Sequence, residues 1–79
     1  MRIDKFLKNS RIIKRRTVAK EACDKERVFK NGKVMKASDE VCVGDIIEIK
    51  FGNSNMKIKV LDIKDSQKKE DSLKMYENL

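Results

Sequence analysis

From Ile3 to Cys23 the apolar residues of this chain recur at helical spacing, and after Val28 the period changes to two, most clearly over Ile47–Phe51 and Met56–Val60. A chain with that change of period builds helices first and a sheet afterwards, because each spacing gathers apolar side chains on one face of a different element. Ile3, Phe6 and Leu7 predict a short amphipathic helix over Arg2–Leu7, with Arg2, Lys5 and Lys8 on its outer side. Asn9-Ser10-Arg11 interrupts it, and Ile12-Ile13 returns toward the core. Lys14-Arg15-Arg16 then leads into Thr17, which has the chemistry of an N-cap. Val18, Ala19, Ala22 and Cys23 form the apolar stripe of a second helix that ends near Lys25.

The sheet begins at Val28. Asn31-Gly32 lies between Val28-Phe29-Lys30 and Lys33-Val34-Met35, and it is a strong hairpin signal because both central residues of a type I′ turn need positive φ. Residues 36–43 read as a loop with Val41 and Val43 turned inward, and Val43-Gly44-Asp45 reads as a second turn. In Ile46–Phe51, Ile47, Ile49 and Phe51 share one strand face and Glu48 and Lys50 the other. Gly52-Asn53-Ser54-Asn55 turns the chain again. Met56, Ile58 and Val60 then alternate with Lys57 and Lys59 in a strand expected to continue through Ile63. Ser66 is placed to cap a helix running to Leu79, with Leu73 and Tyr76, and Met75 and Leu79, about one turn apart.

The expected fold is α+β, with two short N-terminal helices packed on a small antiparallel sheet and a C-terminal helical tail. Residues 1–63 are expected to form the domain and residues 64–79 a partly helical tail. Ile3, Phe6, Val18, Ala19, Ala22, Val28, Ile47, Ile49 and Ile58 are the expected core.

Charge is distributed unevenly along this pattern. Residues 1–20 hold eight basic side chains and one acid, Asp4, whereas residues 21–79 hold equal numbers of each. The formal net charge of +7 is therefore all at one end, which presents a cationic surface to an anionic partner. Catalysis is disfavoured by what is missing. There is no His, so no Ser-His-Asp or Cys-His arrangement is possible, and no Walker or GxGxxG loop is present. Ser66-Gln67-Lys68-Lys69 is an isolated SxxK pattern without companions. Asp39-Glu40 sits in an extended loop, where adjacent side chains diverge. A non-catalytic binding protein with no metal and no cofactor is expected. Cys23 and Cys42 form no Cys-x-x-Cys pair. They are read as two small buried thiols, with a disulfide between them as the alternative. The charged N-terminus lacks the apolar region of a signal peptide, and no apolar run approaches the roughly 20 residues that cross a bilayer. The expected location is the cytoplasm.

Three segments carry a resemblance. Arg15-Arg16-Thr17-Val18-Ala19, then Val28-Phe29-Lys30-Asn31-Gly32-Lys33, then Val43-Gly44-Asp45-Ile46-Ile47 resemble, in order and spacing, the RNA-binding domain first seen in small-subunit ribosomal protein S-four, also called the αL motif. The resemblance covers about residues 2–51. It implies that a basic residue at the start of the second helix and the hairpin after it line one RNA-facing surface. The opening Met1-Arg2-Ile3-Asp4-Lys5-Phe6-Leu7-Lys8, the run Lys14-Arg15-Arg16-Thr17, and Lys68-Lys69-Glu70 with Met75-Tyr76 are similar to a stand-alone subfamily of ribosome-associated quality control, related to the heat-shock protein fifteen group. That similarity implies binding to an obstructed large ribosomal subunit through large-subunit rRNA and peptidyl-tRNA. It also implies support for a partner elongation factor that adds C-terminal alanine tails. A monomer is expected, with no membrane partner. Two positions depart from the family. Glu26 stands where many members close the second helix with Gly, and Val43 stands where Pro often precedes the Gly-Asp turn.

The expected RNA-binding residues are Arg2, Lys5, Lys8, Arg11, Lys14, Arg15, Arg16, Lys20, Asn31 and Lys33. Arg2 and Lys5 are expected to reach phosphates from the outer side of the first helix. Arg15 and Arg16 stand at a helix N-terminus, where backbone N–H groups also favour anions. Arg16 matches the family's basic position most directly, and its planar fork suits a bidentate phosphate contact. Asn31-Gly32 is first a turn and only second a backbone contact, and Tyr76 is read as an anchor for the tail. Two other readings are a general rRNA- or tRNA-binding protein of assembly or recycling, and a peripheral membrane binder acting through the first helix. The second is disfavoured because so short a helix has too small an apolar face.

Overall fold

The computed structural model describes residues 1–63 and 74–79. Two helices, α1 (Ile3–Asn9) and α2 (Arg16–Asp24), precede five strands: β1 (Val28–Lys30), β2 (Lys33–Val34), β3 (Ile46–Phe51), β4 (Ser54–Val60) and β5 (Tyr76–Asn78). The strands form one antiparallel sheet in the order β2-β1-β3-β4-β5. Ile3, Phe6 and Leu7 of α1 and Ala19 and Cys23 of α2 are buried in one core with Val28, Ile47, Ile49, Ile58 and Val60 of the sheet.

No side chain caps α1. The loop after β2 takes that role: the N–H groups of Ile3 and Asp4 donate to the carbonyls of Asp39 (2.8 Å) and Ala37 (3.4 Å). In return the Val41 N–H donates to the Met1 carbonyl at 2.9 Å, so Arg2 enters the helix from an anchored strand-like position. In α2 the N-cap is Arg15, in extended conformation, and not Thr17, which lies inside the first turn. The Ala19 N–H reaches the Arg15 carbonyl at 3.0 Å, and Arg16 at the first helical position is drawn toward a buried carboxylate on α1.

The far end of α2 keeps the left-handed geometry that glycine suits. Glu26 has φ 59°, its N–H donates to the Cys23 carbonyl, and the Arg27 N–H donates to the Ala22 carbonyl, each at 3.0 Å. These two bonds make a Schellman motif without glycine. The Asn31-Gly32 hairpin forms as expected, with φ 50° and 87° and the pairs Phe29↔Val34 and Lys30↔Lys33.

Several expectations need correction. The helix predicted to reach Leu79 is replaced over Tyr76–Asn78 by a strand, because pairing there satisfies the open backbone edge of β4 while Met75 enters the core. Ser66 and Leu73 lie outside the described residues. β4 ends at Val60 and begins at Ser54, so only Gly52-Asn53 separates it from β3. Val18 is exposed because Ala19 and Cys23, four residues apart, take the inward stripe of a nine-residue helix. Val43 and Cys42 are exposed on the outside of the turn whose Asp45 carboxylate accepts the Cys42 N–H at 2.7 Å. Both cysteines are free thiols, and only Cys23 is buried. Phe51 has the expected strand parity but lies largely exposed at the end of β3.

Candidate nucleic-acid interface

Asp4, the only acid among the first twenty residues, is buried. Its Oδ1 accepts the Lys5 N–H at 2.8 Å and lies 3.6 Å from Nη2 of Arg16, while its Oδ2 accepts a hydrogen bond from Nη2 of Arg2 at 3.2 Å. Two guanidinium groups, one from the entry to α1 and one from the first residue of α2, thus converge on a single carboxylate. Each remains about half exposed, so most of their N–H donors stay available to an outside anion. Holding a long side chain in place before binding removes part of the entropy cost of ordering it later.

Around this pair the surface is concave. A depression of about 280 Å³ is lined by Arg2, Asp4, Arg16, Thr17 and Lys20. Arg2 and Lys20 also border a second, of about 610 Å³, which extends past Lys36 and Ser38 to Val34 of β2. Val34 is shared with a third, of about 530 Å³, that contains Lys30, Asn31 and Lys33. A path lined by six basic side chains, with the acids Asp4, Asp24, Glu26, Asp39 and Glu40 among them, therefore runs from the start of α2 across the loop after β2 to the hairpin. No side chain caps α2, so its first-turn N–H donors add to the positive end of this path.

The expected site residues divide along it. Arg2, Arg16, Lys20 and Lys33 lie on the path. Asn31 is there as well, but its Oδ1 accepts the Ile46 N–H at 3.2 Å, which makes its side chain a brace between hairpin and β3. Lys5 and Lys8 are half-buried on α1, Arg11 closes that helix at φ 62°, and Lys14 and Arg15 are exposed on the approach to α2. These five do not line the three depressions. Lys36 was missed. Its charge is one of many in the sequence, and only the loop's return across α1 brings it opposite Lys20.

The acids at the hairpin end are engaged by the protein itself. Lys30 Nζ lies 3.3 Å from the Asp45 carboxylate, and the Asp39 carboxylate accepts the Lys36 N–H at 2.8 Å. The Met1 ammonium lies 2.7 Å from Oε2 of Glu40 and holds that carboxyl below the usual range through a hydrogen bond and charge attraction. Cys23 adjoins the second depression, but burial pushes its thiol up to about 11, so it carries no nucleophilic thiolate near neutral pH. The arrangement can bind and orient phosphates. The apolar face of α1, formed by Ile3, Phe6 and Leu7, is consumed by the core and offers nothing to a lipid surface. Among the described residues no helix is long and apolar enough to cross a membrane.

A family model described as the S4 domain matches residues 1–47. The chain is 58% identical to the RQC P-site tRNA stabilizing factor of Streptococcus pneumoniae, over 98% of this chain and 88% of that one. It is 49% identical to the protein of the same name from Bacillus subtilis, over 96% of this chain and 88% of that one. Among known structures, the trimeric heat shock protein 15 of Vibrio cholerae matches with a TM-score of 0.92 at 26% identity, covering 100% of this chain and 81% of that chain.

Proposed function

The chain belongs to the S4 domain family, and from that premise we propose that it is a non-catalytic RNA-binding factor of ribosome-associated quality control. It binds obstructed large ribosomal subunits in the cytoplasm, touches large-subunit rRNA and peptidyl-tRNA, and supports the elongation factor that extends stalled chains with C-terminal alanine. It acts as a single copy. Residues 1–63 carry the interface, and the strand at Tyr76–Asn78 completes the sheet behind it.

The observation that carries this reading is the convergence of Arg2 and Arg16 on buried Asp4. A surface selected only for solubility has no use for a buried carboxylate that fixes two half-exposed arginines side by side. A ligand with paired phosphate oxygens does. Arg2, Arg16, Lys20, Lys33 and Lys36 are the inner contacts. Lys5, Lys8, Arg11, Lys14 and Arg15 form a basic margin along α1 and the turn into α2, suited to a second stretch of the same RNA assembly. The names of the relatives at 58% and 49% identity support the choice of tRNA and of the quality-control setting.

Co-sedimentation with large subunits tests the site. Arg16→Ala is expected to lose the association while its unfolding midpoint stays near that of the parent, because Arg16 lies on the surface and Asp4 keeps its bonds to Arg2 and the Lys5 N–H. A variant that sediments like the parent refutes the site. Footprinting on subunits with and without peptidyl-tRNA separates this reading from general rRNA binding: protection that ignores the tRNA favours the general binder.

A further inference from the structure

Asp39 is an exposed acid on a path read as binding phosphate, where its charge opposes the ligand. Three of its groups are nevertheless tied to segments that carry the path's cations. Its Oδ2 accepts the Lys36 N–H at 2.8 Å, and its own N–H donates to the Lys36 carbonyl at 3.0 Å. Its carbonyl accepts the Ile3 N–H, one residue after Arg2, at 2.8 Å. A single residue thus joins the backbone of Lys36 to the first turn of the helix that Arg2 enters, although the two cations are more than thirty residues apart in sequence. Met35 and Ala37, on either side of Lys36, are buried. Lys36 therefore projects from a closed turn that is rooted in the core, and both hydrogen bonds across that turn end on Asp39.

Resting on the phosphate-binding reading above, we infer that Asp39 is a positioning residue of the RNA site. Its carboxylate closes the turn that holds Lys36 on the depression shared with Arg2 and Lys20. A lysine on a fixed backbone has less freedom to lose on meeting a phosphate than one on a loose loop. The repulsion between an exposed carboxylate and RNA is screened by water and salt, whereas the bond to the Lys36 N–H acts at contact. Two neutral substitutions separate these roles. Asn keeps an acceptor for the Lys36 N–H and Ala does not, while both remove the same single negative charge. If Asp39 acts on RNA only through its charge, the two variants bind alike. If it positions Lys36, the Ala variant binds less well than the Asn variant.

The test is the affinity of the full chain for purified large ribosomal subunits at several potassium chloride concentrations. Asp39→Ala and Asp39→Asn are each measured alone and combined with Lys36→Gln, with Arg16→Ala alongside. Asp39→Ala is expected to bind about threefold or more weakly than Asp39→Asn, with a salt slope shallower by up to about 0.9. In the Lys36→Gln background the two Asp39 variants are expected to bind alike, because the cation through which Asp39 acts is gone. A difference that persists in that background reports a general loss of folded structure and overturns the inference, as does equal binding of the two single variants. If Lys36→Gln binds like the parent, the inference falls whatever the Asp39 variants do. If Arg16→Ala also binds like the parent, the reading of the whole site falls with it, so the two failures are distinguishable.

Discussion

At the scale of single residues, Asp4 separates two explanations of the basic surface that the sequence leaves equivalent. If bulk charge attracts RNA, Asp4→Ala raises the net charge by one and tightens binding. If the carboxylate positions Arg2 and Arg16, the same change weakens large-subunit association while also destabilising the fold by about 1.5–3 kcal/mol, the usual worth of hydrogen bonds to a charged group. We expect the second outcome, and Asp4→Asn, which retains an acceptor for the Lys5 N–H, should lie between parent and Ala. Paired urea titrations and sedimentation assays read both effects. Cys23 gives a pH signature. Burial raises its pKa to about 11 with a smaller push from the charges of Asp4 and Asp24, so the folded chain keeps a proton that the unfolded chain has already lost. Its contribution to stability is complete below the unfolded pKa and falls as pH rises from there toward about 11. The difference in stability between parent and Cys23→Ala, followed through that window, should shrink with increasing pH. Thiol reagents should meanwhile label exposed Cys42 well before Cys23.

At the scale of elements, the helix ends show how local sequence and tertiary contacts share control. The close of α2 holds Glu26 in the left-handed region, which costs a non-glycine residue roughly 1–2 kcal/mol. The two Schellman bonds and the start of β1 at Val28 leave the chain no other course. Glu26→Gly should therefore raise the denaturant midpoint by the equivalent of about 0.5–1 kcal/mol, after allowance for the greater freedom of glycine when unfolded. A lower midpoint would mean that the Glu26 side chain contributes more than its backbone strain removes. The start of α1 is governed in the opposite way. No capping side chain exists, and the carbonyls of Ala37 and Asp39 close the helix from more than thirty residues away.

At the scale of the whole molecule, the proposed interface is a path assembled from α1, α2, the hairpin and the loop that follows it. Of the six cations among the described residues that line it, Lys30 is paired with Asp45, which leaves Arg2, Arg16, Lys20, Lys33 and Lys36 for phosphate. If each neutralises one phosphate, log affinity for RNA should fall against log salt with a slope of roughly −3.5 to −4.5. Binding measured across a range of potassium chloride concentrations checks this, and a flat response would exclude a phosphate clamp.

The change of apolar period, the Asn31-Gly32 turn and the concentration of charge before Lys20 determined the helices, the hairpin and the anionic nature of the partner. These properties depend on neighbours within a few residues, and the chain states them directly. Other features depended on which surfaces meet. The strand at Tyr76–Asn78 exists because β4 has an edge to satisfy, while a weak helical spacing in a polar segment has little to oppose it. Val18 and Phe51 follow the apolar pattern and are nevertheless exposed, since burial requires a covering element as well as the right parity. Lys36 comes to share a depression with Arg2 and Lys20, and Asp4 comes to lie between two arginines, only once the loop after β2 and the two helices pack together. The sequence alone specified how much charge this protein presents; the distances among its cations, which a folded RNA would read, were decided by the packing of α1, α2 and the sheet.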